Sequence, residues 1–255
     1  MAQTVIFRAE TVKGGFVFDA GNLIGELEVT LDIDVLVGAH PDRDVPRPVL
    51  DVLGEHPIRH AAAASLRAAL FDVESGNDEI LARREFTPVA AVDLRDPIGA
   101  ARELERVAGL GVRAVRLFPE EQGVEAGFPS VRHVARRCAA LGLAVLTGGD
   151  VRRFWQPLSG LGLDVVFLDT HFYHLGDFLV AAQEEPGFHT STRLLNSPDA
   201  LEIAAAETGA SRLLYGSRAP FYEPLVPLLR LATSGLKPDE VAAVAGGNAR
   251  RLLHP

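Results

Sequence analysis

Residues 97–118 read PIGAARELERVAGLGVRAVRLF, and this one stretch holds both halves of a repeating unit. In Pro97–Leu110 the apolar residues Ala100, Ala101, Leu104, Val107 and Ala108 recur at the 3.6-residue period that lines one face of a helix. Asp96 stands at the cap position, and Pro97 occupies the first turn, where a missing N–H costs nothing. Beyond Gly111 the pattern changes: Val112–Phe118 is a short apolar run of strand length. A helix handed through a glycine to a strand is half of a βα repeat.

Working outward, the same alternation recurs along the chain. Strands are predicted at Asp32–Val37, Arg59–Ser65, Phe86–Val92, Val112–Phe118, Leu143–Thr147, Asp164–Asp169, Phe188–Thr192 and Arg212–Gly216. Helices are predicted at Ser130–Leu141, stopping at Gly142, at Pro198–Thr208, stopping at Gly209, and at Pro238–Leu253. Eight strands with helices between them, in a chain of 255 residues, predict an α/β protein of the (β/α)8 TIM-barrel type. An open doubly wound sheet is the alternative, but no G-x-G-x-x-G turn supports it. Ahead of the barrel, Thr4–Ala9, Phe16–Phe18 and Glu26–Thr30, parted by Gly14-Gly15 and Gly21-Asn22, read as a small β-meander. The expected organisation is one domain, with a β extension over 1–30 and the barrel over 31–255.

Composition narrows the function classes. With 47% apolar and 23% charged residues, the chain has the balance of a globular protein with one large core. Apolar runs such as Ala61–Ala64 and Val165–Leu168 fall far short of the roughly 20 residues that cross a bilayer. The N-terminus lacks the basic and apolar regions of an export signal, so a cytoplasmic location is expected. A net charge of −9 without a basic block argues against nucleic acid. The only cysteine, Cys138, lies among Val134, Ala135, Ala139 and Leu141, so it reads as core and excludes an internal disulfide. A small-molecule site or a protein partner remains, and a homodimer is compatible with such a barrel.

In a barrel, chemistry gathers at the C-terminal ends of the strands. Those positions hold Asp32, Asp34 and His40, then Ser65 and Arg67, Asp93, Arg116, Thr147 and Asp150, Asp169, His171 and His174, Thr192 and Arg193, and Ser217 and Arg218. Asp34, Asp169 and His171 are the candidates for moving protons. His40, Arg116, Thr147, Arg193 and Arg218 are the candidates for binding substrate. Arg218 at a strand end could grip a carboxylate or phosphate bidentately; the alternative is an ion pair with Asp34 or Asp169. His56 and His60 are four apart, but Pro57 between them argues for loop histidines rather than a helical zinc motif.

The segment from Arg212 through Gly216-Ser217-Arg218-Ala219-Pro220-Phe221, followed by Gly246-Gly247-Asn248-Ala249-Arg250-Arg251-Leu252-Leu253, resembles the end of the amidohydrolase superfamily. The likeness is to the amidohydrolase-related branch that includes aminocarboxymuconate semialdehyde decarboxylase. Phe86-Thr87-Pro88-Val89, Asp96-Pro97, Glu103-Leu104 and Gly111–Pro119 resemble its third and fourth units, and the likeness spans about residues 30–254. The resemblance implies a slightly distorted barrel with a divalent metal, yet the expected ligands are replaced. Asp34 and Leu36 stand where the first strand carries two histidines, Thr147 replaces the fifth-strand histidine, and Arg218 replaces the final aspartate. Only His171 lies near the sixth-strand position. A cation at Arg218 repels a divalent metal by about 4 kcal/mol per unit-charge pair at 4 Å and an effective dielectric near 20. The chain resembles a divergent group with a degenerate metal site, for which His40-Pro41-Asp42-Arg43 and Gly76-Asn77-Asp78-Glu79 also fit.

Three functional readings follow. The first is a hydrolase or lyase with no metal and no cofactor, in which the arginines bind a small anionic substrate for lactone or ester hydrolysis or decarboxylation. The second is a pseudoenzyme barrel that binds a small acid or a protein partner. The third is a divalent-metal hydrolase using Asp32, Asp34, Asp169 and His171.

Overall fold

The computed structural model describes residues 20–253 apart from Pro46. Every predicted strand forms: β1 Asp32–Val37, β2 Ala61–Ser65, β3 Phe86–Ala91, β4 Ala114–Leu117, β5 Ala144–Thr147, β6 Val165–Phe167, β7 Phe188–Ser191 and β8 Leu213–Leu214. They pair in parallel with their sequence neighbours, in the order β1 to β8, which excludes the doubly wound alternative. The ring closes where β8 runs out: Ile33 N donates to Tyr215 O, Leu36 N to Ala219 O, and Val35 bridges Ala219. The result is a (β/α)8 TIM barrel.

Apolar layers on both sides of the strands explain the continuous hydrophobic runs. One set, including Ile33, Ala62, Ala64, Val89, Ala91, Ala114, Phe118, Leu146, Val166, Leu168 and Leu214, packs as one cluster. A second set, including Leu104, Val107, Val115, Val134, Cys138, Val145 and Phe167, packs strands against helices. Strands buried on both faces lose the polar alternation of a half-exposed sheet. Cys138 belongs to this core, and burial pushes its thiol up to about 12.

The helix signals operate as chemistry dictates. Asp96 accepts from Gly99 N at 3.0 Å and caps the helix Pro97–Gly109. The helix Pro129–Leu141 ends on Gly142 at φ +64. Ala200–Thr208 starts two residues later than expected, after Asp199. The expected single helix over 238–253 is instead broken: Pro238–Ala242 and Asn248–Leu253 flank a wide turn with Gly246 at φ +144. The break turns carbonyls toward the barrel, because Ala245 O accepts from Thr30 N and Val244 O from Tyr215 N. A side-chain carbon at Gly246 would lie 2.5 Å from Leu31 N, so only glycine fits.

The expected meander is not confirmed as a unit. Thr4–Ala9 and Phe16–Phe18 lie outside the described residues. Within Glu26–Thr30 a single parallel bridge joins Val29 to Ile58, and Gly21-Asn22 falls within the short helix Ala20–Ile24 instead of a turn. His56 is less exposed than a loop histidine need be: its side chain is nearly buried and pairs with Glu223 at 2.7 Å.

Candidate functional site

Five of the predicted site residues converge at the C-terminal end of the barrel. Asp34, on β1, is fully buried and lies within a stretch where the β1–β2 register shifts, between Asp32 and Val35. Such irregularities re-aim side chains beside functional sites. The Arg116 guanidinium, from β4, donates to Asp34 Oδ1. Arg218, just past β8, donates Nε to Asp34 Oδ2 at 3.1 Å and places Nη1 2.8 Å from Asp169 Oδ1. Arg193, just past β7, donates to Asp169 and brings Nε within 4.0 Å of Asp34 Oδ2. Gly149 N completes the set by donating to Asp169 Oδ2 at 2.9 Å.

Arg218 takes its place at a conformational cost. Its φ of +60 makes it the non-glycine residue in the left-handed region among those described, a placement worth about 1–3 kcal/mol of strain. Its amide donates to Asp34 O at 2.6 Å, which fixes the backbone so that the side chain enters the cluster. The Arg116 and Arg193 guanidinium groups sit 4.8 Å over the rings of Phe118 and Tyr222.

The electrostatics are unbalanced. Three guanidinium groups share two carboxylates, leaving one positive charge in excess, while Arg116 and Arg193 are only 4% and 7% exposed. Arg116 Nε, Arg193 Nε and Arg218 Nη2 are buried without a hydrogen-bond acceptor. Burial alone would raise the Asp34 pKa, but the charges of Arg116, Arg218 and Arg193 outweigh it and hold the carboxyl ionised below its usual range. Burial also draws Arg116 down, with Asp34 opposing and Arg218 assisting. Arg218 itself is pushed up, because Asp34 and Asp169 outweigh burial.

Beneath this cluster lies Asp32, fully buried. Its Oδ1 accepts from Asp34 N at 2.9 Å and Ser217 N at 3.1 Å, tying β1 to the β8 end. Burial raises its pKa to about 7, against the nearby Ser217 hydroxyl and the two amides, while the charge of Asp34 adds to the rise.

Some buried polar side chains elsewhere are fully tied, whereas others, among them Thr170 Oγ1 and Thr192 Oγ1, also lack a partner. Gln122 donates to Ala69 O and Val92 O and accepts from Leu94 N. Asn77 donates to Ala91 O and Glu103 and accepts from Ala91 N. A cleft of about 470 Å³ is bordered by Glu74, Asp93, Asp96, Glu103 and Arg106; there Asp93 pairs with Arg95 and Glu103 with Arg106.

Three predicted residues stand apart. His171 spends Nδ1 on the Tyr173 amide at 3.3 Å and stacks on the Tyr173 ring; among the described residues no ion pair or hydrogen bond joins it to the cluster. His40 accepts from Asp42 N and meets the edge of Phe221 at the rim. Thr147 is buried and turns its hydroxyl to Gly148 O. Several other strand-end polar residues have structural roles: Ser65 and Asp150 cap helices, and Asp93 pairs with Arg95. Glu120, three residues past β4 and beside Gly149, is not among the residues that the sequence singles out.

The metal that the family resemblance implies does not fit these donors. Among the described residues no three His, Cys, Asp or Glu side chains gather around one point. Asp34 is ringed by three guanidinium groups, and Arg218 lies between Asp34 and Asp169, where a divalent cation would meet like charge.

No protein-family model matches the chain, and no curated protein matches it. Solved structures do. The 5-carboxyvanillate decarboxylase LigW from Sphingomonas paucimobilis superposes with a TM-score of 0.64 at 15% identity, covering 88% of this chain and 98% of that one. A dihydroxybenzoic acid decarboxylase from Polaromonas, solved with manganese and 2-nitroresorcinol, gives 0.69 at 15%, covering 89% and 97%. A protein provisionally assigned as a 2-pyrone-4,6-dicarboxylic acid hydrolase from Pseudomonas putida gives 0.67 at 20%, covering 89% and 98%. At these identities the shared property is architecture: the chain folds as a (β/α)8 barrel similar to those of these proteins.

Proposed function

We propose that the protein is a metal-independent hydrolase or lyase acting on a small carboxylic acid, with Arg116, Arg193 and Arg218 forming its anion-binding site. The observation that carries this reading is the surplus of buried guanidinium N–H groups: three arginines share two carboxylates and leave three N–H donors unpaired. A buried donor without an acceptor costs about 1–3 kcal/mol, and a bound oxyanion removes that cost. The decarboxylases and the hydrolase that share the barrel are named for small aromatic or pyrone acids, which supports the same ligand class.

The unpaired donors suit an oxygen that gains charge during reaction. In decarboxylation of a β-keto or vinylogous acid, the C–C bond to the carboxylate breaks, CO2 leaves, and the electron pair settles on a carbonyl oxygen facing the guanidinium groups. A proton then reaches the carbon. In lactone or ester hydrolysis, water adds to the carbonyl carbon and the same donors hold the tetrahedral oxyanion until the C–O bond breaks and the leaving oxygen takes a proton. Asp34, held ionised by three arginines, serves as their counter-ion, whereas Asp169, less buried and shared by Arg193 and Arg218, is the carboxylate placed to pass protons.

A binding barrel without turnover is the second reading, favoured by the complete engagement of both carboxylates with arginines. Chelator-treated protein, screened for turnover against aromatic acids, keto acids and lactones, separates the two. The proposal expects turnover that survives chelation and is lost in Arg218→Gln. Turnover that needs added metal overturns it, and binding of these acids without turnover establishes the second reading.

A further inference from the structure

Glu120 lies on the segment that follows β4, and that segment is tightly held. Gln122 N donates to Phe118 O, Gly123 N to Glu120 O and Val124 N to Pro119 O, so the carboxylate is carried on a fixed turn. Many carboxylates near arginines in this chain are paired, among them Asp93 with Arg95 and Asp150 with Arg152. The Glu120 side chain has no hydrogen bond or ion pair among the described residues, although Arg153 and Arg218 both act on it at longer range.

It lies beside Gly149. The Gly149 amide holds Asp169 at 2.9 Å, and a side-chain carbon on Gly149 would come 3.7 Å from Glu120 Oε1. With φ at +87 and the Phe154 ring 2.7 Å from that same point, residue 149 has no room for a side chain. Glycine thus leaves Glu120 and Asp169 flanking one short turn, on the side of the cluster supplied by β4 and β5. Partial burial and then the charges of Asp169 and Glu121 raise the Glu120 pKa, the direction expected of a carboxylate facing other carboxylates.

We infer that Glu120 is a specificity-determining residue, an unpaired rim carboxylate that restricts the arginine site to monocarboxylates by repelling a second carboxylate on the ligand. The inference rests on the anion-site reading above. The cluster offers one surplus positive charge, enough for a single carboxylate. A second carboxylate reaching toward the β4–β5 side meets Glu120 with no cation paired to it.

The test is calorimetric titration at pH 7 with benzoate and with 1,3- and 1,4-benzenedicarboxylate, using wild type, Glu120→Gln and Glu207→Gln. Glu207, exposed near the C-terminal end of Ala200–Thr208, controls for the same change in net charge away from the site. Wild type is expected to prefer benzoate to both dicarboxylates. Glu120→Gln should narrow at least one of those gaps by about three- to tenfold, as expected for removing one repulsive charge several ångströms away in a partly aqueous setting. Glu207→Gln should leave both gaps alone. Benzoate bound with both gaps unchanged in Glu120→Gln, or narrowed equally in Glu207→Gln, overturns the inference while the anion site stands. Failure of wild type to bind benzoate overturns both.

Discussion

Replacing Asp34 by asparagine keeps the shape of the side chain and removes the charge that three arginines share. Arg218 Nε lies 3.1 Å and Arg193 Nε 4.0 Å from Asp34 Oδ2, and Arg116 is closer still to Oδ1. At an effective dielectric near 20, the attractions at those two distances are each about 4–5 kcal/mol. Desolvation offsets much of this, and breaking one partner out of a buried ionic cluster costs roughly 3–5 kcal/mol net. For a protein of this size that is a fall in Tm of roughly 6–20 °C. The asparagine variant has two surplus positive charges, so sulfate should raise its Tm more steeply than that of wild type, through preferential binding to the folded state. Differential scanning fluorimetry across a sulfate series measures both effects. A Tm within 1–2 °C of wild type, with no added response to sulfate, refutes the reading of Asp34 as the shared counter-ion.

Other outcomes can be checked alongside it. Asp32 has a folded pKa raised to about 7, so it binds more protons folded than unfolded; its stabilising effect is full below about pH 4 and is lost as pH rises through 7. Asp32→Asn retains an Oδ1 acceptor for the Asp34 and Ser217 amides, so its Tm relative to wild type should rise from pH 5 to pH 8, whereas a constant difference contradicts the buried, proton-binding carboxyl. Gln122→Leu strips three hydrogen bonds from buried backbone groups and should cost roughly 2–4 kcal/mol in urea unfolding; a loss under 1 kcal/mol would show that water replaces the amide. Arg218→Gly relieves the positive φ but removes two ion pairs, so it should bind benzoate at least tenfold more weakly while keeping its circular dichroism; unchanged affinity removes Arg218 from the site.

The barrel is legible in the sequence because the strands are largely buried on both faces and helices such as Pro97–Gly109 and Pro129–Leu141 carry a striped face, so two periods alternate visibly from Asp32 onward. The glycine at 142 and the Asp96-Pro97 pair mark helix ends by local chemistry alone. The break at Gly246 is not local: it exists because Thr30 and Leu31, more than two hundred residues earlier, demand carbonyls from that turn. The site divides along the same line. Arg116, Asp169, Arg193 and Arg218 are found by collecting strand ends, since strand order fixes where they meet, and Asp34 joins them from within β1, where the register shifts. His171 belongs to the same census but is drawn aside by its stacking on Tyr173, a contact that strand position does not reveal. Glu120 sits three residues beyond β4, and its relation to Gly149 requires two adjacent loops to be seen together.

On the proposed function, guanidinium groups bind an anion at the mouth of this barrel in place of a metal. A crystal of chelator-treated protein soaked in 4-bromobenzoate tests it most directly, with anomalous scattering from bromine fixing the ligand's orientation. The carboxylate is expected within hydrogen-bond distance of Arg116, Arg193 or Arg218, taking up the N–H groups that lack acceptors. A carboxylate bound away from all three arginines, or a metal ion coordinated by Asp34 in untreated crystals, contradicts it.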